Sequence, residues 1–224
     1  PIVAVYSSFL QRAYDQILHD VCLQNLPVVF AIDRAGLVGS DGETHQGIFD
    51  LTYLSGIPNM HVCAPKNKWE LSDMIKFAVS LGAPIAVRYP RGAAYDGLEG
   101  HRAPIELGRG EWIYRESEIA LFALGSMVKT AERVRECLKE KGYCVSLVNA
   151  RFVKPIDEEA VREACACHRL IVTLEENVAC GGYGEKVLDY MSRSGLEGRH
   201  LNISIPDAYV EHGNVELLKQ EIGL

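Results

Sequence analysis

Arg12, Arg34 and Arg91 are the residues whose type and spacing most suggest a binding site. Each follows a short apolar stretch: Ile2–Tyr6, Val28–Ile32 and Ile85–Arg88. If those stretches are strands of one parallel sheet, their C-terminal ends gather at one edge, where open α/β folds bind ligands. A guanidinium offers a planar fork of N–H donors that matches phosphate oxygens, and its charge does not titrate away. The pattern points to an anion site, with three unrelated surface salt bridges as the alternative. A second candidate is Asp41-Gly42-Glu43-Thr44-His45-Gln46-Gly47. A histidine among small and polar loop residues can give, take or shuttle a proton near neutral pH; the plainer role is a structural hydrogen bond. Tyr6 and Phe9 stand where a strand turns into a helix. An aromatic ring there can stack on a flat heterocycle or simply pack. Gly181-Gly182-Tyr183-Gly184 opens a helix after a strand but lacks the full phosphate-binding spacing, and reads as a tight structural turn.

These residues must be positioned by a fold, and the composition allows a packed one. The chain has 224 residues, 48% of them hydrophobic and 24% charged, enough for one large or two modest domains. A net charge of -7 argues against a general nucleic-acid binder, which needs a basic face. The longest apolar run, Ile119 to Val128, is about half of what spans a bilayer, so no membrane partner is expected. The seven cysteines are odd in number and contain no C-x-x-C, which suggests reduced thiols and no metal site on the chain.

Strand and helix signals alternate along the chain. Capping boxes at Ser8/Gln11 and Asn67/Glu70 open two helices. Leu10, Tyr14, Ile17 and Val21 are expected inward on the first, and Leu71, Met74, Ile75 and Ala78 on the second. Met60–Cys63 is a further strand. Gly92 to Pro104 has no apolar period and reads as a linker. Beyond it, strands at Ile119–Leu124, Cys144–Val148, Leu170–Leu174 and Leu201–Ile205 alternate with helices. One is capped by Ser126, with Met127, Ala131, Val134 and Leu138 inward and Gly142 at its end. The others begin at Asp157, Gly181 and Asn214. The expected fold class is α/β: two consecutive three-layer α/β/α domains with mainly parallel sheets. The predicted bounds are 1–95, a linker at 96–112, and 113–224.

Several stretches, taken together, resemble the 1-deoxy-D-xylulose 5-phosphate synthase family. They are residues 6–16 (Tyr-Ser-Ser-Phe-Leu-Gln-Arg-Ala-Tyr-Asp-Gln), Asp33-Arg34-Ala35-Gly36, the Asp41 to Gly47 loop and Arg88-Tyr89-Pro90-Arg91-Gly92. Arg151-Phe152-Val153-Lys154-Pro155 and Glu175-Glu176-Asn177 resemble that family's third domain. The loop motif is shared with transketolases; the Asp33–Gly36 and Tyr89–Gly92 pair points to the synthases. The resemblance implies a transketolase-like fold, its pyrimidine-binding domain followed by its C-terminal domain. It implies a transferase that decarboxylates pyruvate on thiamine diphosphate and condenses the two-carbon unit with glyceraldehyde 3-phosphate. It further implies a cytoplasmic homodimer, or a plastid one in a plant or alga. Phe9 then corresponds to the residue stacking on the cofactor's aminopyrimidine, and Arg12, Arg34 and Arg91 to ligands of the acceptor phosphate. Tyr6 and Asp41 correspond to acceptor contacts, and His45, with Asp41, to the catalytic polar group at the reacting hydroxyls. The family's diphosphate and Mg2+ ligands, and the glutamate that serves the pyrimidine, belong to a part upstream of Pro1. The family's last helix also extends past Leu224. The chain by itself is therefore expected to be inactive. A transketolase, a two-oxoacid dehydrogenase beta subunit and a non-catalytic dimerisation module are the alternatives.

Overall fold

The computed structural model describes residues 1–224 and contains two five-stranded sheets. In the first, β1 (Ile2–Tyr6), β2 (Val29–Asp33), β4 (Ile85–Arg88) and β3 (His61–Cys63) lie side by side in that order, all parallel. The central strands β2 and β4 are nearly unbroken apolar runs, as strands covered on both faces must be, whereas the edge strand β1 is largely exposed. Phe30, Ile32, Val62 and Ala86 pack to one side, against Leu10, Ile17 and Leu51. Val29, Cys63, Ile85 and Val87 pack to the other, against Met74 and Ala78. The helices on the two sides are the stretch beginning at α1 (Ser7–Leu10) together with α2 (Asp50–Ser55), and α3 (Lys68–Ser80).

The second sheet has the order β10 (Arg199–Ile205), β9 (His168–Val178), β6 (Glu118–Ala123), β7 (Val145–Asn149) and β5 (Glu111–Tyr114). Only β5 is antiparallel. Ile119, Leu121 and Ala123 face α4 (Met127–Glu140), while Ala120 and Phe122 face α5 (Glu158–Cys167) and α6 (Tyr183–Arg193). Helices thus flank both faces of each sheet, the three-layer α/β arrangement expected, with the edge strands β1 and β10 the most exposed. The layer containing Phe30 and Ile32 is continuous with the one containing Phe122 and Tyr183, so one core cluster joins the two halves.

Two more devices cross between the halves. β8 (Phe152–Lys154) lies well beyond the linker but pairs antiparallel with β3 at the edge of the first sheet. Beside it is a buried network of two cations and two anions. The Lys66 ammonium is 3.0 Å from Glu70 and 2.7 Å from Glu111, and Arg151 is 2.7 Å and 3.1 Å from the same two carboxylates. Arg151 also donates to the carbonyls of Ala103 and Pro104, which pins the linker.

The structure corrects several local expectations. Ser8 is not an N-cap: the helix already starts at Ser7, so Ser8 lies inside the first turn and its hydroxyl is buried without a partner. That helical path tightens to a 3-10 turn at Gln11–Ala13 and widens to a π stretch at Gln16–Cys22. The change of pitch breaks the 3.6-residue period and leaves Tyr14 exposed rather than inward. Val134 is exposed too, because Arg135 occupies the core position on α4 with its guanidinium 3.9 Å over the Tyr114 ring. Ser126 makes no capping bond. β5 and β8 fall outside the expected strands. The caps at Asn67, Asp157 and Asn214 are present, each accepting backbone N–H bonds from its helix.

Candidate active site

The loops after β1, β2 and β4 meet at the C-terminal edge of the first sheet. The longest of them leaves β2 at Asp33, whose carboxylate accepts the Arg34 N–H at 2.6 Å. Arg34 itself adopts a left-handed backbone with φ 57°, uncommon for a residue with a side chain. Gly36 and Gly47 then exchange two backbone hydrogen bonds, 2.7 and 2.8 Å, and close the loop at its neck. Residue 47 must be glycine: a Cβ there would lie 2.1 Å from the Arg34 carbonyl oxygen. Inside the loop, the His45 and Gln46 amides donate to the Gly42 carbonyl. Beneath the neck, buried Arg88 is 3.0 Å from Asp50 and also donates to the Gly47 carbonyl. This pair lies outside the candidate residues that the sequence suggests, although a charge ending the apolar run Ile85–Arg88 is a signal for one.

This neck presents two clusters. In the first, the Asp41 carboxylate oxygen Oδ2 accepts from both Arg34, at 2.8 Å, and Arg91, at 3.0 Å. The Arg34 guanidinium also lies 4.0 Å over the Tyr6 ring. Two cations on one anion leave a net positive charge. Each guanidinium has five N–H donors, and Arg34 uses only one of them on Asp41. In the second cluster the Phe9 ring is 5.4 Å from Tyr6 and 5.3 Å, edge-on, from His45. Phe9 is 42% exposed, so part of its ring is open to solvent. His45 Nδ1 is 2.9 Å from the Thr44 hydroxyl. Tyr6, Phe9, Arg34, Asp41, His45 and Arg91 are thereby brought together. Arg12 is not joined to them: it sits exposed on the 3-10 turn and makes no hydrogen bond or ion pair within the chain. A cleft of about 900 Å3 extends from Arg34 and Arg91 toward the second half, where Lys129 and Lys219 line it.

The glycine turn at 181–184 is filled from within. Glu175 accepts the N–H groups of Tyr183 and Gly184 at 2.7 and 2.9 Å, so the start of α6 is already occupied by a carboxyl group. Burial pushes the Glu175 carboxyl up to about 7, outweighing those two donors and the charge of Arg88. No group of three or more His, Cys, Asp or Glu side chains is placed to hold a metal ion. No helix is long and apolar enough to cross a membrane.

Comparison with known proteins agrees with this architecture. The family described as "Transketolase, pyrimidine binding domain" matches residues 1–95, and "Transketolase, C-terminal domain" matches residues 108–224. The 1-deoxy-D-xylulose-5-phosphate synthase of Lachnoclostridium phytofermentans is 57% identical over 225 residues, which cover 100% of this chain and 36% of that protein. The enzyme of the same name from Aquifex aeolicus is 48% identical, with the same coverage. The chain thus spans about a third of the length of these curated relatives. Among solved structures, one described as a split gene transketolase, inactive beta4 tetramer, superimposes with a TM-score of 0.90 at 26% identity, covering 100% of this chain and 71% of that one. Transketolase from Campylobacter jejuni, at a TM-score of 0.81 and 18% identity over 100% of this chain and 33% of that one, shares the fold. The chain belongs to the transketolase family, of which it carries the pyrimidine-binding and C-terminal domains, and within that family it is similar to the 1-deoxy-D-xylulose-5-phosphate synthases.

Proposed function

We propose that this chain forms the acceptor side of a 1-deoxy-D-xylulose 5-phosphate synthase, an enzyme that joins pyruvate, with loss of carbon dioxide, to glyceraldehyde 3-phosphate. The observation that carries the reading is the convergence of Arg34 and Arg91 on one Asp41 oxygen, with most of their donors unspent, beside a partly exposed aromatic ring and a histidine. Asp41 holds the two guanidinium groups together and offsets part of their mutual repulsion. A phosphate dianion would take their remaining N–H groups in charge-assisted bonds. Binding energy gathered at this remote phosphate fixes the aldehyde in attack geometry. His45, next to Phe9, is placed to hold or deliver a proton at the acceptor's carbonyl oxygen. Arg12, on the exposed turn after Phe9 and without a partner in the chain, is assigned to the same phosphate by resemblance.

Thiamine diphosphate, the cofactor this reading requires, supplies the electron sink that decarboxylation of a 2-oxoacid needs. The chain fits one part of it: the exposed part of the Phe9 ring suits the flat aminopyrimidine. No group of three or more His, Cys, Asp or Glu side chains is placed to hold Mg2+, and the reading gives the diphosphate and Mg2+ to the remainder of the longer protein. The chain alone is then inactive. A cytoplasmic homodimer is part of the same reading.

Arg91→Ala in the full-length enzyme tests it. Losing a charge-assisted contact costs about 1.5–3 kcal/mol. Arg91 is 44% exposed, which favours the lower end, about a tenfold rise in KM for glyceraldehyde 3-phosphate. The KM for pyruvate stays nearly unchanged. Equal damage to both substrates overturns the assignment.

A further inference from the structure

Glu176 belongs to β9 in the second sheet, but its carboxylate seats the loop of the first half. It is 3% exposed. Its Oε1 accepts the Leu37 N–H at 2.9 Å, and Oε2 accepts the Ser126 hydroxyl at 2.7 Å with the Lys219 ammonium 3.6 Å away. Its carbonyl accepts from Arg88 at 3.2 Å. The fit is close. Gly36 has φ +82°, and a Cβ there would fall 2.6 Å from the Glu176 carboxyl carbon. Leu37 stands three residues after Arg34 and four before Asp41. The Glu176 carboxylate therefore fixes the loop midway between the two groups whose contact defines the anion cluster.

The second half also holds the loop at its far side. Gln46 accepts the Val38 N–H at 2.7 Å and donates to the Glu211 carbonyl at 3.0 Å, and the Gly213 N–H donates to the Gly39 carbonyl at 3.2 Å. Those contacts are neutral. Glu176 alone brings a charge, and it alone would leave a buried amide and a half-buried ammonium without partners if removed.

We propose that Glu176 is a positioning residue for the acceptor-phosphate site: acting through Leu37, it sets where Arg34 and Asp41 meet Arg91. This rests on the reading of those three residues given above. It also assigns the second half a task in the reaction, that of a template for the loop.

The experiment uses the full-length protein with Glu176→Ala, Glu176→Gln and Ser126→Ala. Glu176→Ala is expected to raise the KM for glyceraldehyde 3-phosphate about tenfold, the equivalent of about 1.4 kcal/mol. Hydrogen exchange of residues 34–47 should rise, with the KM for pyruvate unchanged. Glu176→Gln keeps a carbonyl oxygen for Leu37, and the Ser126 hydroxyl can turn to accept from the new amide. It should restore loop protection and most of the affinity. Ser126→Ala loosens the carboxylate without orphaning Leu37, so it keeps the test open if Glu176→Ala does not fold. A rise of about 2–5-fold in the same KM is expected, the scale of one ordinary hydrogen bond. Unchanged exchange at 34–47, or an equal loss for both substrates with exchange raised throughout the molecule, overturns the proposal. If the wild-type protein does not condense these substrates, the functional reading fails, and the exchange of residues 34–47 in the three variants still decides the claim about Glu176.

Discussion

Glu70→Gln probes whether the two halves are locked together by charge. Glu70 is 2% exposed and opens α3. It accepts the Lys66 N–H at 2.7 Å, the Lys66 ammonium at 3.0 Å, Arg151 Nε at 2.7 Å and the Asn149 amide at 2.9 and 3.0 Å. With Glu111 it balances Lys66 and Arg151 charge for charge. Glutamine preserves the volume and one acceptor oxygen, but it leaves one positive charge enclosed. It also turns an NH2 group toward groups that are themselves donors. Removing one partner of a buried ion pair costs about 3–5 kcal/mol. For a chain of this size each kcal/mol lowers Tm by about 2–4 °C, so a fall of about 6–20 °C is expected. Lys66→Met/Glu70→Gln removes one charge of each sign and leaves the Arg151–Glu111 pair neutral. It should therefore be more stable than the sum of the two single variants by about 1–3 kcal/mol. Urea unfolding followed by circular dichroism measures all three, since urea does not screen charge. A loss below about 1 kcal/mol for Glu70→Gln, or strict additivity in the double variant, would refute the idea that this network is a charge lock.

Two further outcomes follow from buried or site groups. Glu175 carries a folded-state pKa of about 7 against an ordinary 4.5, so the fold binds its proton more tightly than the unfolded chain does. Its contribution is complete below about 4.5 and is lost as pH rises toward about 7. Glu175→Gln should flatten that part of the urea-midpoint profile, and an unchanged slope would show that burial does not hold the proton there. His45→Ala in the full-length enzyme should slow product formation about 10²–10⁴-fold, the usual weight of a proton-transfer group. Carbon dioxide release in a single turnover should be preserved, and normal turnover at saturating substrates would make His45 structural.

What was legible in the sequence divides by how local its cause is. The strand at Ile85–Arg88 could be read because burial on both faces demands an unbroken apolar run, and the exposed edge strand at Ile2–Tyr6 because it is rich in β-branched residues. Asn67 and Asp157 could be read as caps because each meets an amide within its own first turn, at Glu70 and Ala160. Ser126 could not, because its hydroxyl is drawn away to Glu176, on another strand. β8 has three residues and gains its identity only from pairing with β3, about ninety positions earlier, so no local pattern marks it. The site divides in the same way. A rule about strand ends brings Arg12, Arg34 and Arg91 to one edge of the sheet, but it does not say which side chains face one point. Arg34 meets Arg91 on Asp41 because its backbone takes a left-handed turn, held by a neck that only glycine at 47 permits. Arg12, exposed on the turn at Gln11–Ala13, has no partner within the chain. The loop between Arg34 and Asp41 is seated on a carboxylate 139 residues away. The residue types of an anion site are thus written locally, whereas the direction each one faces depends on backbone turns within the same half and on a seat for the loop that the other half supplies.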